Sequence, residues 1–330
     1  MRAFGKLLGR ILMLLAAVGG LLWWFGPYED VDLSPEFDHR RFGEGVQVYF
    51  ESVESAYAKL VPGVEKRVIW QDGFKEQRTP YSVVYLHGFS ASSEEIRPVP
   101  DRIAEALGAN LVYARLEGHG LDGDALASAT ASGWMRDTAE TLAAGRAVGE
   151  KLVVISTSTG GTLAAAAALH PELSRDVAAL IFVSPNFGVN DPNAWVLTLP
   201  AARHWLPMVL GGERTFEAAN EAQATYWTNA YSWSALAPMA ALVKAVVALD
   251  FRQAGIPALF RISDSDTVVR PDLTHHIAGL WGADATVHVV EMGEGDDPSS
   301  HVIAGDIMSP GQTDIAVKDM LMWLAQIGVQ

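Results

Sequence analysis

The chain has 330 residues, of which 49% are hydrophobic, and a formal net charge of −15 at pH 7. This length and apolar content suffice for a large buried core, and the acidic balance argues against a nucleic-acid partner, which requires a basic surface. The sequence contains no cysteine, which excludes thiol nucleophiles, disulfides and thiolate metal sites.

The chain begins with a predicted membrane segment, residues 1–27. Basic residues Arg2, Lys6 and Arg10 precede the stretch 11–25, which is rich in leucine and carries no charge. Positive charge before an apolar segment favours a cytoplasmic N-terminus, so we expect a membrane anchor with the rest of the chain on the extracytoplasmic side. A cleaved signal peptide, with secretion of the rest, is the alternative, although no Ala-x-Ala site follows the apolar stretch.

Residues 28–63 are predicted to form an acidic connector with a helix at 45–60, and residues 64–330 an α/β domain. Short β-branched stretches bounded by turn residues predict strands at 64–70, 82–86, 111–114, 152–156, 178–183, 257–262 and 286–290. The predicted helices are 92–107, 132–148 with Ser132 as its N-cap, an alanine-rich helix ending at His170, 273–280 and 312–327. Because strands alternate with helices, we expect a mostly parallel sheet with helices on both faces.

Residues 186–254 interrupt this alternation. The segment is apolar and helical in pattern, contains several prolines, and carries the aromatic residues Trp195, Trp205, Trp227, Trp233, Tyr226 and Tyr231. We interpret it as a helical insertion over the carboxyl ends of the strands. Its aromatic side chains can pack the insertion onto the core, line a substrate pocket, or do both.

Residues 152–161, Leu-Val-Val-Ile-Ser-Thr-Ser-Thr-Gly-Gly, have the layout of a nucleophile elbow. In such an elbow a strand turns sharply into a helix and holds a serine exposed, with the helix N-terminus behind it. Ser158 is the candidate nucleophile, because it alone has a glycine two residues on and a helix directly after it. The usual pattern is Gly-x-Ser-x-Gly, and Ser156 stands where the first glycine is expected.

A serine nucleophile needs a base and a group that orients the base. In elbow-type sites the carboxylate and the histidine follow the serine in that order. Asp266 lies in the loop after the strand 257–262 and is the predicted carboxylate, with Asp264 as the alternative. His301 lies in a polar loop before the last helix and is the predicted base, whereas the other downstream histidines are predicted in a helix or a strand: His275, His276 and His288.

The oxyanion that forms during acyl transfer requires two hydrogen-bond donors. One is the backbone N–H of Thr159, the residue after the candidate nucleophile. The other is the backbone N–H of Phe89, in the loop after His87 and Gly88, where glycine permits a sharp turn. We expect His87 to have a structural role beneath this loop.

These residues together resemble the α/β-hydrolase superfamily, and in particular its serine carboxylesterase and monoacylglycerol-lipase-like branch. The resemblance covers about residues 64–328, with the helical lid of the family at 186–254. The matching elements are His87-Gly88-Phe89, Gly118-His119-Gly120, the pair Trp134 and Asp137, the elbow at Ser158, the Asp266 loop and His301.

The resemblance implies an α/β-hydrolase fold and a serine hydrolase that cleaves carboxylic esters through an acyl-enzyme. It implies the catalytic residues Ser158, Asp266 and His301, oxyanion donors at Phe89 and Thr159, and neither a metal nor an organic cofactor. The expected substrate is a small-molecule or lipid acyl ester. The same residues also suit acyl transfer or hydrolysis of a thioester or amide, and a non-catalytic binding protein that retains the fold is a further alternative.

Overall fold

The computed structural model describes residues 2–73 and 75–330. The chain opens with helix α1 (Arg2–Phe25). Its segment Phe4–Phe25 has 22 residues, none of them buried, and is long and apolar enough to cross a membrane, as an anchor or a signal sequence would be. Helix α2 (Val46–Glu54) is shorter than the predicted 45–60, because the chain then turns and the Val61 N–H bonds to the Gly120 carbonyl at 2.9 Å.

A seven-stranded sheet forms the centre of the molecule. The strands of the described residues are β1 (Arg67–Ile69), β2 (Thr79–Leu86), β3 (Asn110–Tyr113), β4 (Gly149–Thr157), β5 (Val177–Val183), β6 (Glu213–Thr215), β7 (Ala230–Ser232), β8 (Ala258–Ile262) and β9 (Ala285–Val289). Their order in the sheet is β1-β3-β2-β4-β5-β8-β9, and all neighbours are parallel except the edge strand β1. The predicted mostly parallel α/β architecture is confirmed.

Helices cover both faces of this sheet. The remaining helices are α3 (Val99–Ala106), α4 (Gly123–Ser128), α5 (Ala131–Val148), α6 (Thr159–Ala168), α7 (Pro171–Ser174), α8 (Ala202–Leu210), α9 (Glu221–Tyr226), α10 (Leu236–Val246), α11 (Pro271–Leu280) and α12 (Pro310–Gln326). Val153 and Ile155 of β4 belong to the core that α3 and α12 complete, whereas Leu152 and Val154 belong to the core beneath α5 and α6. Side chains of successive strand residues point to opposite faces of the sheet. One apolar strand therefore contributes side chains to both cores.

Two predicted helix starts were wrong. Helix α3 begins at Val99 instead of residue 92, and residues 93–98 form turns, because Pro98 has no N–H to continue a helix through its interior. The N-cap of α5 is Thr130, whose Oγ1 accepts the Gly133 N–H at 2.9 Å. Ser132 instead accepts a hydrogen bond from the Asp32 backbone N–H at 2.9 Å, and so ties the connector to the domain.

The lid, residues 186–254, lies between β5 and β8. It contains a 3-10 turn (Ala194–Thr198), helices α8, α9 and α10, and a two-stranded antiparallel ribbon of β6 and β7. The ribbon was not predicted, because strands of three residues are too short to show an alternating pattern. The Thr228 N–H of the lid donates to the Ser90 carbonyl at 2.7 Å, which fixes the lid against the loop that follows β2.

Candidate active site

Ser158 occupies the sharp turn between β4 and α6. Its backbone has φ 51° and ψ −116°, a strained conformation for any residue with a side chain. Hydrogen bonds on both sides hold it there: the Ser158 N–H donates to the Val183 carbonyl at 3.0 Å, and the Ser158 carbonyl accepts the Gly161 N–H at 2.9 Å. The side chain thereby leaves the sheet at its carboxyl edge, in front of the N-terminus of α6.

Ser156 lies within strand β4, where it pairs with Phe182 of β5. Its buried hydroxyl donates to the Ile181 carbonyl at 3.2 Å. The position that requires glycine is Gly160, where a Cβ would lie 2.2 Å from the Leu86 carbonyl oxygen. Serine in place of the first glycine of the motif therefore alters a contact between strands and leaves the turn unobstructed.

We expect Ser156→Gly to keep kcat/KM for an ester within about threefold and to lower the free energy of unfolding by about 1–2 kcal/mol, from one lost hydrogen bond and a more flexible strand. Gly160→Ala should cost more than about 3 kcal/mol, because backbone must move to accept the Cβ. Urea unfolding and initial rates measure both. A larger loss of activity in Ser156→Gly than in Gly160→Ala would contradict this assignment.

The structure brings together the three residues that the sequence singled out. Nε2 of His301 lies 3.0 Å from Oγ of Ser158, and Nδ1 of His301 lies 2.8 Å from Oδ2 of Asp266. The other oxygen of Asp266 accepts the backbone N–H groups of Val268 and Val269 at 2.7 and 2.9 Å. All three residues are buried, so little of the hydrogen-bonded chain is exposed at the protein surface.

The alternative residues lie elsewhere. Asp264 is exposed and pairs with His275 at 2.8 Å, and His288 contacts Asp319 at 3.3 Å. His276 is exposed on α11. None of the four residues considered as alternatives, Asp264, His275, His276 and His288, lines the cavity that contains Ser158.

Asp297 shapes the loop that carries His301, and the sequence did not single it out. One of its carboxylate oxygens accepts the backbone N–H groups of His301 and Val302 at 3.2 and 2.8 Å. Burial alone would lower the pKa of His301, but the hydrogen bond to Asp266, its negative charge and those of Glu95 and Asp297 outweigh burial and raise it. The surroundings of His301 therefore favour the protonated imidazole.

Two buried histidines support the loop of Phe89 by reciprocal hydrogen bonds. Nε2 of His87 accepts the Leu116 N–H, and Nε2 of His119 accepts the Ser90 N–H, both at 3.1 Å. Burial lowers the pKa of His87 to about 4 and lowers that of His119 strongly, so both rings are neutral acceptors at pH 7. The structural role expected for His87 fits this geometry, whereas the role of His119 was missed.

Helix α5 also supports the loop that carries Glu117 and His119. Trp134 donates from its indole N–H to the Glu117 carbonyl at 2.9 Å, and the Asp137 carboxylate accepts the Glu117 N–H at 2.6 Å. The ammonium group of the buried Lys66 pairs with Asp137 at 2.7 Å. The tryptophan and aspartate of the motif therefore hold the backbone next to His119.

The expected oxyanion donors face the cavity. Phe89 and Thr159 both line it together with Ser158. Within the described ranges, neither backbone N–H donates to another group of the protein, and Thr159 is the first residue of α6, where helix N–H groups lack an intrahelical acceptor. Gly88 brings the loop close, because a Cβ on it would lie 3.2 Å from the Ser158 Cβ.

Glu95 is a second ionisable group at this site that the sequence did not single out. It is 3% exposed, lines the same cavity, and accepts the Gly88 N–H at 2.7 Å and the Tyr85 hydroxyl at 3.0 Å. Burial raises its pKa to about 7, against the opposing effect of the Gly88 hydrogen bond. In sequence it is one of two adjacent acids in a predicted helix, a pattern typical of a solvated face.

We compare the free energies of unfolding of Glu95→Gln and the unmodified chain. As pH rises from about 4.5 to 7, we expect the difference to change by about 3 kcal/mol in favour of the variant. In this interval the native state keeps a proton on Glu95 that the unfolded state has lost, so the stability of the unmodified chain falls as pH rises. Glutamine does not titrate. Urea unfolding of both proteins from pH 4.5 to 8 tests this, and a difference that is independent of pH would contradict it.

A cavity of about 710 Å³ lies above Ser158 and beneath the lid. Three of the six aromatic residues noted in the lid, Trp227, Tyr231 and Trp233, line it, whereas Trp195, Trp205 and Tyr226 do not. Its other apolar lining includes Val196, Leu197, Leu206, Leu210, Leu236 and Met239. Of the described residues, no group of three or more His, Asp or Glu side chains is arranged to hold a metal ion.

Comparison with known proteins assigns the chain to a family. The family model for serine aminopeptidase, S33, matches residues 77–294. A search of curated proteins gives no match.

Solved structures share the fold at low sequence identity. A structure from work on the metagenome-derived lipolytic enzymes LipS and LipT is 19% identical, with a TM-score of 0.66, and the match covers 81% of this chain and 100% of that one. A soluble variant of monoglyceride lipase from Saccharomyces cerevisiae is 11% identical, with a TM-score of 0.57 and coverage of 82% and 97%. Monoacylglycerol lipase from Paleococcus ferrophilus is 12% identical, with a TM-score of 0.54 and coverage of 80% and 100%. The expected α/β-hydrolase fold is confirmed, and the chain belongs to the serine aminopeptidase S33 family of α/β hydrolases.

Proposed function

We propose that the chain is a serine hydrolase that cleaves carboxylic acyl esters through an acyl-enzyme. The observation that carries the proposal is the continuous hydrogen-bonded chain from Ser158 through His301 to Asp266, with distances of 3.0 and 2.8 Å. This is the arrangement in which a neutral imidazole can activate a serine hydroxyl.

In the proposed mechanism Oγ of Ser158 attacks the acyl carbon while Nε2 of His301 takes its proton. The Asp266 carboxylate holds the Nδ1–H of His301 and stabilises the imidazolium without taking the proton. The backbone N–H groups of Phe89 and Thr159 bind the oxyanion. His301 then protonates the leaving alcohol, and water enters to hydrolyse the acyl-enzyme, with His301 taking its proton and returning it to Ser158.

The lining of the cavity supports the proposed substrate class. Its walls are mostly aliphatic and aromatic, which favours an acyl chain over a sugar or a charged peptide. A volume of about 710 Å³ lies within the usual range for small-molecule sites. We therefore propose a small-molecule or lipid acyl ester as the substrate.

We also propose that α1 is a retained membrane anchor, with the catalytic domain on the extracytoplasmic side. The residues directly after α1 contact the lid: the Ala201 N–H donates to the Pro27 carbonyl at 2.7 Å, and Arg203 pairs with Glu29 at 2.7 Å. Basic residues precede the apolar stretch, which favours a cytoplasmic N-terminus.

The proposed activity is tested with a fluorophosphonate probe and a panel of p-nitrophenyl esters of increasing acyl length, with a matched p-nitroanilide. We expect covalent labelling at Ser158 and faster hydrolysis of esters than of the anilide. Absence of labelling on the folded protein would indicate a non-catalytic binding protein. Faster cleavage of the anilide would instead indicate an amidase on the same residues.

A further inference from the structure

The cavity beneath the lid contains one cation that the proposed mechanism does not use. Among the described residues, Arg214 of β6 is the one lysine or arginine that lines this cavity. The other arginines of the lid, Arg203 and Arg252, each pair with a carboxylate, at 2.7 and 3.4 Å. No carboxylate in the described ranges lies within 4.0 Å of the side-chain nitrogens of Arg214. Since Arg214 is partly buried, its charge is left without a counter-ion inside the wall of a cavity.

Arg214 is held in place by the lid itself. It is the cross-strand partner of Tyr231 in the ribbon of β6 and β7. Its Nη1 donates to the Tyr231 hydroxyl, and its Cζ lies 5.7 Å from the centroid of the Tyr231 ring. This hydrogen bond uses one of the five N–H donors of a guanidinium. A side chain that is already fixed loses little freedom when it binds a ligand, so the remaining donors are preorganised.

Tyr231 connects this cation to the proposed oxyanion donors. It is 2% exposed and packs edge-on against Phe89, with ring centroids 5.5 Å apart. Phe89 carries one of the proposed donors, and Phe89, Tyr231 and Arg214 line the same cavity as Ser158. One ligand can therefore present its ester to Ser158 and another of its groups to Arg214.

A second polar group of the cavity wall also lacks a partner. The indole Nε1 of Trp233 is buried, and within the described ranges no group accepts its hydrogen. Trp233 lines the cavity and follows β7 directly. An indole N–H is a donor only, so a ligand that brings an acceptor would satisfy it. An ionised carboxylate is acceptor-only and suits both an unpaired guanidinium and an unpaired indole N–H.

The carboxylates that line the cavity do not neutralise Arg214. Asp297 and Glu95 accept backbone N–H groups near the candidate active site, and Asp191 is exposed and accepts a backbone N–H of its own loop at 2.7 Å. One guanidinium balances one negative charge. A ligand group with a single negative charge, such as a carboxylate, therefore fits this cavity better than a dianionic phosphate.

We propose that Arg214 binds a carboxylate of the substrate, so that the chain prefers acyl esters that carry one negative charge away from the bond that is cleaved. A carboxylate can accept two parallel N–H groups from one guanidinium. The preference among esters rests on the proposed function, whereas the binding of a carboxylate does not. The net charge of −15 favours cations around the chain as a whole, so a preference for an anion has to come from Arg214.

Three p-nitrophenyl esters with the same eight-carbon acyl chain test the preference. Their chains end in a methyl, a carboxylate or a trimethylammonium group. We expect kcat/KM to be at least about tenfold higher for the carboxylate than for the methyl ester, and lowest for the cation. A fourth ester, the octanoyl ester of 3-hydroxy-4-nitrobenzoate, places the carboxylate on the alcohol part. A gain that depends on Arg214 for this ester alone would assign the carboxylate to the alcohol part of the substrate.

Substitution of Arg214 separates its charge from a structural role. In Arg214→Gln the ratio of kcat/KM for the favoured carboxylate ester over the methyl ester should fall about tenfold. Arg214→Lys keeps the charge without the planar fork and should retain part of the ratio. The matched control is Arg252→Gln, a lid arginine outside the cavity, which should keep the ratio of the unmodified chain. If Arg214 only holds Tyr231 in place, all esters lose rate equally, and an unchanged ratio in Arg214→Gln would overturn the proposal.

Binding to Ser158→Ala tests the carboxylate site without catalysis. Isothermal titration calorimetry of the same four esters should show a carboxylate ester that binds at least about tenfold more tightly than the methyl ester, and addition of Arg214→Gln should remove the difference. Equal affinities, or tightest binding of the cation, would overturn the proposal even if the unmodified chain cleaves esters. Selective binding of a carboxylate ester, without cleavage of any ester by the unmodified chain, would support the site and overturn the proposed ester hydrolysis.

Discussion

Replacement of Ser158 by alanine is expected to lower kcat/KM for ester hydrolysis by about 10⁵-fold, because no neighbouring hydroxyl can take its place. Among the described residues, only Oγ of Ser158 lies at hydrogen-bond distance from Nε2 of His301. Ser156 bonds to the Ile181 carbonyl within the sheet, and Thr157 contacts the Tyr85 hydroxyl at 3.0 Å. The free energy of unfolding should change by about 1 kcal/mol or less, since the substitution removes one hydrogen bond and keeps the same backbone strain.

The control for this variant is Ser156→Ala, which removes the adjacent buried hydroxyl and should keep activity within a few-fold of the unmodified chain. Initial rates on a soluble ester and urea unfolding are measured for both proteins. Activity that survives in Ser158→Ala and is lost in Ser156→Ala would move the nucleophile to position 156.

Replacement of Asp266 by asparagine has the second large expected effect. It should lower kcat by about 10⁴-fold. One oxygen of the side chain must still accept the N–H groups of Val268 and Val269, so the new amide group faces Nδ1 of His301. That amide donates a hydrogen bond and favours the tautomer with the proton on Nε2. In this tautomer the imidazole cannot take the proton of Ser158.

The same variant should change the pH dependence in a defined direction. Burial opposes protonation of His301, whereas the hydrogen bond and charge of Asp266 raise its pKa. Without the carboxylate the pKa falls, so the acid limb of the residual activity should move to lower pH. A pH–rate profile of the two proteins measures this shift. An acid limb that moves to higher pH would show that another group sets the protonation of His301.

The free energy of unfolding gives an independent test of the interaction between His301 and Asp266. A raised pKa of His301 stabilises the native state below the unfolded-state value of about 6.5, and this contribution is lost as pH rises through the native-state pKa. The difference in unfolding free energy between Asp266→Asn and the unmodified chain should therefore be larger at pH 5 than at pH 9. An equal difference at both pH values would argue against an ion pair between these residues.

The sheet and the three central residues were predictable from sequence for clear physical reasons. Parallel strands covered on both faces are short apolar stretches rich in β-branched residues, so β4 and β5 were located to within a few residues. Carboxyl ends of parallel strands meet at one edge of the sheet. Polar residues that follow those ends, such as Asp266 and His301, could therefore be brought to Ser158 by topology alone.

Other features depend on contacts between distant segments that leave no local pattern. Glu95 is buried because residues 93–98 turn inwards, whereas its sequence context suggested an exposed helix. Asp297 acts on backbone N–H groups four and five residues later, in a polar loop that resembles any solvated loop. The end of α2 likewise depends on the bond from Val61 to Gly120, between residues far apart in sequence.

Ser90 links three parts of the molecule. Its carbonyl accepts the N–H of Thr228 from the lid, its own N–H donates to His119 of the core, and it is the residue after the proposed oxyanion donor Phe89. A movement of the lid that keeps the Thr228–Ser90 hydrogen bond would therefore also move the proposed donor. The lid and the loop of Phe89 would then move together. Substitutions in the lid that alter substrate preference should therefore change kcat together with KM.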